Sequence, residues 1–190
     1  MHRDEMWQVY APNGEPIPGE GWDSSLDNPT ESSDKIIGVT SVFLFRQNNG
    51  KLEILWQKRA EGVSRYAGYY DISAGGHINL GETVIEASIR ELQEEIGVTA
   101  SPDELRFAFA KPFSPNCFAR VFMIDWTGRP EDFHFDDNEV SEVRWVPYDE
   151  LADFVKTFAK PPIREDDAML PNISYWLQTQ GLVDGNLQTK

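Results

Sequence analysis

The stretch GHINLGETVIEASIRELQEEIGV, residues 76–98, decides how this chain is read. Thr83 followed three residues later by Glu86 forms a capping box, in which a hydroxyl and a carboxylate each satisfy a backbone N–H at a helix start. Gly97 supplies the left-handed residue that stops a helix. Between them Ile85, Ile89, Leu92 and Ile96 recur at spacings of four, three and four, which predicts a helix over Thr83 to Ile96 with one apolar stripe. At about 100° per residue, Glu91, Glu94 and Glu95 fall within roughly 100° of arc, beside that stripe and not opposite it. Such a helix buries one side in a core and presents three carboxylates to a cleft.

Three carboxylates this close repel one another and raise each other's pKa, so the arrangement opposes folding unless something compensates. A divalent cation does so, and magnesium in particular prefers oxygen ligands while keeping several waters. That coordination suits a substrate bringing phosphate oxygens of its own. Arg90 can hold a neighbouring glutamate by a bidentate pair. The Gly75-Gly76 pair lets backbone come close to a metal or a phosphate. The competing reading is an acidic helix face that is merely solvated.

Working outward, IIGVTSVFLFR (36–46) has the β-branched and aromatic content of a buried strand. QNNGK (47–51) is a turn signal, and LEILWQKR (52–59) reads as the returning strand of a hairpin. A third strand is expected from Tyr70 to Ser73, ending at the glycine pair. Residues 11–35 are rich in Pro, Gly, Ser, Asp and Asn and read as an extended, loop-like arm, preceded by the alternating Trp7, Val9 and Tyr10 of a short strand. Downstream, LRFAFA (105–110), CFARVFMIDW (117–126) and EVRWVP (142–147) read as strands. A second helix is expected over Tyr148 to Phe158 and a third near Ile173 to Gln180. Mixed strands with helices between them indicate an α/β or α+β sandwich.

Composition narrows the function classes. With 32 acidic against 17 basic residues the formal charge is −15, a field that repels polyanions and argues against nucleic acid as the main partner. No apolar run approaches the roughly 20 residues that cross a bilayer, so no membrane role is expected. The N-terminal MHRDEMWQVY lacks the layout of a secretory signal. Cys117 is the only cysteine, so no internal disulfide forms, and a cytoplasmic location is the default expectation.

The seven fixed positions Gly76, Glu82, Arg90, Glu91, Glu94, Glu95 and Gly97, with apolar Leu92 and Val98, match the Nudix box, G-x5-E-x7-R-E-U-x-E-E-x-G-U, without a departure. At residue frequencies of about 5–7% each, chance should produce this less than about once in a million chains of this size. The chain thus resembles the Nudix hydrolases. The resemblance implies an α/β/α sandwich with a mixed central sheet, a domain over 36–190 with a C-terminal helix, and an arm over 1–35 packing on it. It implies magnesium, with manganese as a substitute, held by Glu91, Glu94, Glu95 and a backbone carbonyl near Gly76. Arg90 would orient a glutamate and Glu82 would stabilise the loop before the helix. Glu91 or Glu95 would act as base, or else an acid from a later loop, here Glu139 or Glu142. The implied partner is a small-molecule diphosphate, and a homodimer is compatible with the family. Arg59, Arg65 and Lys111 are candidate phosphate contacts. Phe113, with Tyr66, Tyr69 and Tyr70, could stack on a base or simply pack the sandwich edge.

A finer resemblance lies upstream. WQVYAPNGEPI, then QKR, then YYDISAGGH are similar to Nudix proteins related to isopentenyl-diphosphate isomerase, and His77 falls where those isomerases carry a metal-binding histidine. The isomerase reading needs a cysteine beside the third strand, where this chain has Ser73-Ala74, and further histidines, of which none lies between His2 and His77. Cys117 reads as a core residue. The hydrolase branch is therefore favoured, with an isomerase-like enzyme and a non-catalytic ligand-binding domain as alternatives. No substrate signature is met: ISAGG replaces the coenzyme A marker, and AKPFSPN (110–116) reproduces neither the NADH nor the ADP-ribose marker.

Overall fold

Strand β3 (Ile36–Asn48) is thirteen residues long and organises the molecule, because both its edges and both its faces are covered. In the computed structural model, residues 6–26, 29, 33–129, 132–135, 138–166 and 168–184 are described. One edge of β3 runs parallel to β8 (Cys117–Asp125), from the Ile37–Cys117 pair to the Phe45–Asp125 pair. The other edge is shared in turn by β1 (Met6–Tyr10), β6 (Ala74–His77) and β4 (Lys51–Arg59). Beyond these, β2 (Pro16–Asp23) pairs with β1, β7 (Arg106–Ser114) with β8, and both β5 (Tyr70–Asp71) and β9 (Val140–Pro147) with β4. The sheet is mixed, as expected.

Alternation along β3 explains why its sequence reads as a nearly unbroken apolar run. Val42 and Leu44 face one side, packed with Leu92 and Ile96 of α1 (Val84–Ile96). Phe43 and Phe45 face the other, packed with Phe154 of α2 (Leu151–Phe158) and with Ile173 and Leu177 of α4 (Met169–Thr179). Helices on both faces of one sheet give the α/β/α sandwich. Among the described residues no helix is long and apolar enough to cross a membrane.

The hairpin between β3 and β4 turns at Asn49 (φ 51°) and Gly50 (φ 77°), the two positive angles that an Asn-Gly turn accommodates. The two strands pair only from Phe45–Ile54 outward to Asn48–Lys51. Inward of that they part, and the segment expected as one third strand occupies the gap in two pieces. β5 pairs with β4 through Gln57–Asp71 and Lys58–Tyr70, whereas β6 pairs with β3 from Val42–Ala74 to Val39–His77. Buried Ser73 sits at the crossover, donating its hydroxyl to Leu55 O at 2.6 Å and accepting from Leu44 N at 3.0 Å. A hydroxyl there satisfies one backbone group from each parted strand, which neither an alanine nor a valine could do.

Elsewhere the elements differ from expectation in extent. The loop-like reading of 11–35 missed β2, an edge strand in which Pro16 and Pro18 are tolerated. β7 runs on to Ser114, four residues beyond the expected end. The third helix starts at Met169, earlier than expected, since Met169, Ile173, Trp176 and Leu177 share one buried face and Pro171 falls in the first turn, where its missing N–H costs nothing. A short α3 (Pro161–Arg164) was not anticipated.

Candidate active site

The capping box at Thr83 forms as read, with Glu86 N bonded to Thr83 Oγ1 and Thr83 N to Glu86 Oε2, and Gly97 closes α1 in the left-handed conformation at φ 72°. The fixed start and stop determine which residues face the sheet. Ser88 turns inward to share a 2.5 Å hydrogen bond with Thr40 Oγ1, and Glu95 follows two turns later on the buried side.

Glu95 is buried, and its Oε2 accepts from Gly75 N at 2.9 Å and Gln57 Nε2 at 3.0 Å. Burial, with the neighbouring Glu91 charge, holds its carboxyl well above the usual range despite the Gly75 amide. Glu91 is pushed up to about 7, chiefly by burial, against the lowering influence of Arg90. Glu94 is half-exposed. Gly76 leaves the room Glu91 uses: a Cβ there would stand 2.2 Å from Glu91 Oε1.

Arg90 does more than orient one glutamate. Its Nε and Nη2 bond the two oxygens of Glu82 at 2.9 and 3.1 Å, Nη1 reaches Glu91 at 2.8 Å and Glu94 at 3.0 Å, and Nη2 also reaches His77 O. Burial works against the guanidinium's charge, and Glu82 and Glu91 more than offset it, so its pKa is raised. Glu82 Oε2 in turn accepts from Asn79 N at 3.0 Å, fixing the loop between β6 and α1. Strand β1 braces the same loop through Leu80 N to Met6 O, Gln8 N to Ile78 O and Gly81 N to Gln8 Oε1. His77 lies on β6, its ring stacked on Trp7 at 3.5 Å and 4°.

Glu91, Glu94, Glu95 and Gly76 open on a cleft of about 460 Å³. Arg59, Arg65, Phe113 and Glu139 line it too, so these expected residues are brought together with the box. Lys111 is not: it pairs with Asp166. Glu142 also lies outside the cleft, accepting from the Tyr70 hydroxyl at 2.6 Å, and Tyr69 and Tyr70 line a separate cavity. Cys117 is buried in β8 with its thiol pushed up to about 12 by burial, as a core residue. Two charged residues of the cleft were not anticipated, Asp71 and Lys160. An acid inside the expected third strand was the signal for the first; nothing local marks the second.

Among the described residues no three Asp, Glu, His or Cys groups already converge as a metal group. The physical reason is Arg90, which draws Glu91 and Glu94 together while Glu95 turns to Gly75 and Gln57. The donor set nevertheless fits a hard cation. Buried carboxylates with raised pKa call for positive charge, and Gln57 Oε1, beside Glu95, is buried without a hydrogen-bond partner among the described residues. Oxygen acceptors here outnumber donors, the condition that magnesium or manganese satisfies.

The NUDIX domain family matches residues 36–166, and the chain belongs to that family. It is 33% identical over 131 residues to Nudix hydrolase 3 of Arabidopsis thaliana, covering 63% of this chain and 16% of the plant protein. It is 32% identical over 113 residues to an uncharacterized Nudix hydrolase of Listeria innocua, covering 60% of this chain and 64% of that one. The chain thus spans less than two thirds of either relative. A crystal structure from Deinococcus radiodurans superposes with a TM-score of 0.65 at 22% identity, over 85% of this chain and 96% of the other, which establishes a common fold.

Proposed function

We propose that this chain is a magnesium-dependent hydrolase of a diphosphate bond in a small molecule, such as a nucleoside diphosphate linked to a second moiety. The observation carrying the reading is a cleft with two unlike walls, acidic along α1 at Glu91, Glu94 and Glu95 and basic at Arg59 and Arg65. The acids and the backbone at Gly76 would hold the cation, which when bound polarises phosphoryl oxygens and acidifies water. Arg90 keeps Glu91 and Glu94 within reach, and Gln57 and Gly75 fix Glu95. The basic residues bind the substrate's phosphates. Glu139 is assigned to accept the proton of the attacking water, because of the two loop acids it alone lines the cleft.

The test incubates the protein with magnesium and a panel that includes ADP-ribose, diadenosine tetraphosphate and isopentenyl diphosphate, and identifies the products. Two phosphorylated fragments are expected from a member of the panel. Isomerisation without phosphate release, or binding without any turnover, would replace this reading by one of its two alternatives. Ser73-Ala74 in the region where the isomerases carry their cysteine, with the Ser73 hydroxyl bonded on both sides to backbone, weighs against the first.

A further inference from the structure

Asp71 is an acid inside a strand, buried to 4% exposure, and a charge so placed needs cations. It has two. Lys160 Nζ pairs with Asp71 Oδ2, and Arg59 Nη1 stands 3.6 Å from the same oxygen, while Asp71 Oδ1 accepts from Ile72 N at 2.8 Å. Two cations on one carboxylate leave a surplus positive charge, and all three residues line the cleft that holds Glu91 and Glu94. Their side chains are mostly covered, at 17% for Lys160 and 19% for Arg59, so that charge is desolvated and directional.

The backbone makes the arrangement stiff. Lys160 N donates to Tyr70 O at 2.9 Å, and Ala159 forms a parallel bridge with Tyr70, stitching the junction of α2 and α3 to β5 one residue before Asp71. Arg59 Nε is tied to Arg65 O at 3.0 Å. An ammonium has three N–H donors and one carboxylate oxygen uses one of them, which leaves Lys160 able to bond a second anion.

We infer that Lys160 and Arg59, held by buried Asp71, form an anion subsite that takes the phosphoryl group of the substrate not attacked by water. The inference rests on the hydrolase reading for its substrate, and it adds a residue that lies outside the box of residues 76–98. Lys160 would touch that phosphate; Asp71 is a positioning residue, acting through the two cations.

Two measurements separate the subsite from the hydrolase reading. In the first, the protein in EDTA is titrated with inorganic pyrophosphate by calorimetry. The unaltered chain binds, and Lys160→Met binds at least about tenfold more weakly, the loss expected for one charge-assisted hydrogen bond. In the second, on whichever diphosphate is turned over with magnesium, Lys160→Met raises KM by about ten- to hundredfold with kcat within about threefold, and Lys160→Arg recovers most of the loss. Melting curves confirm that both variants fold. Equal pyrophosphate affinity in Lys160→Met, or no binding by the unaltered chain, overturns the subsite. Absence of any turnover overturns the hydrolase reading while the EDTA titration still decides the subsite.

Discussion

The two walls of the cleft were built by different means. The acidic wall is one helix, specified by residues within one short stretch from Gly76 to Gly97, and its geometry follows from capping and periodicity alone. The basic wall is assembled from the end of β4, the following loop, β5 and the junction before α3, so that Arg59, Arg65 and Lys160 meet only because the sheet brings them together. A local motif can place a row of acidic side chains accurately; the basic groups that share their cleft are left to long-range topology. Relatives could therefore keep the first wall and exchange the second.

Substitutions can break this division or sharpen it. The largest effect is expected from Glu95→Gln, which keeps the shape but removes the charge: kcat should fall by roughly 10³-fold, the scale of a lost transition-state charge contact. The metal-free melting temperature should hold or rise, since a desolvated carboxylate is removed. Retained turnover would remove Glu95 from the site. Next, Gly76→Ala puts a methyl 2.2 Å from Glu91 Oε1, and should reduce turnover by about 10²-fold while abolishing the thermal shift on adding magnesium. A normal magnesium shift would show that the glycine approach does not matter.

A change of pH probes the acidic wall without mutation. Glu91 sits at about 7 in the metal-free protein, and an ion binds its deprotonated form. Affinity for magnesium should fall by up to about tenfold per unit as pH drops below 7. Stability runs the other way. With a folded pKa above the unfolded value, Glu91 makes the metal-free fold more stable as pH falls from about 7 towards the ordinary carboxylate range, because the folded state then holds a proton that the unfolded chain lacks. Across pH 5 to 8 the metal-free melting temperature should rise towards acid while the increment added by magnesium shrinks; an increment independent of pH would separate Glu91 from the ion. The smallest effect belongs to Thr83→Ala, which loses the cap for about 1 kcal/mol of stability with KM unchanged. A changed KM would mean that the helix start shapes the basic wall as well.

The same contrast decides what the sequence disclosed. Helix α1 was legible to the residue because a hydroxyl, a carboxylate and a glycine mark its ends locally. The Asn49-Gly50 turn and the β3 strand were legible for like reasons. Strand β2 was not, since Pro16, Pro18 and Gly19 imitate a loop; at the sheet edge Pro16 pairs with Tyr10, and Pro18 and Gly19 fall at the register shift opposite the stretch between Gln8 and Tyr10. The box glutamates could be named, yet their present orientation could not: Arg90 engages four partners where one was expected. Lys111 looked equivalent to Arg59 in composition, and only the fold sends one to Asp166 and the other to Asp71. Lys160, far along the chain from its partner, carries no pattern to read.

The parting of β3 and β4 around Ser73 has a mechanical consequence. Gly75 N, which steadies Glu95, belongs to a strand wedged into the middle of the sheet, not to a swinging loop. A carboxylate moored to such bedrock keeps its bearing while the surface around it is remodelled. The hydroxyl at the fork acts like a keystone, and a chain that lost it would slacken its deepest acid first.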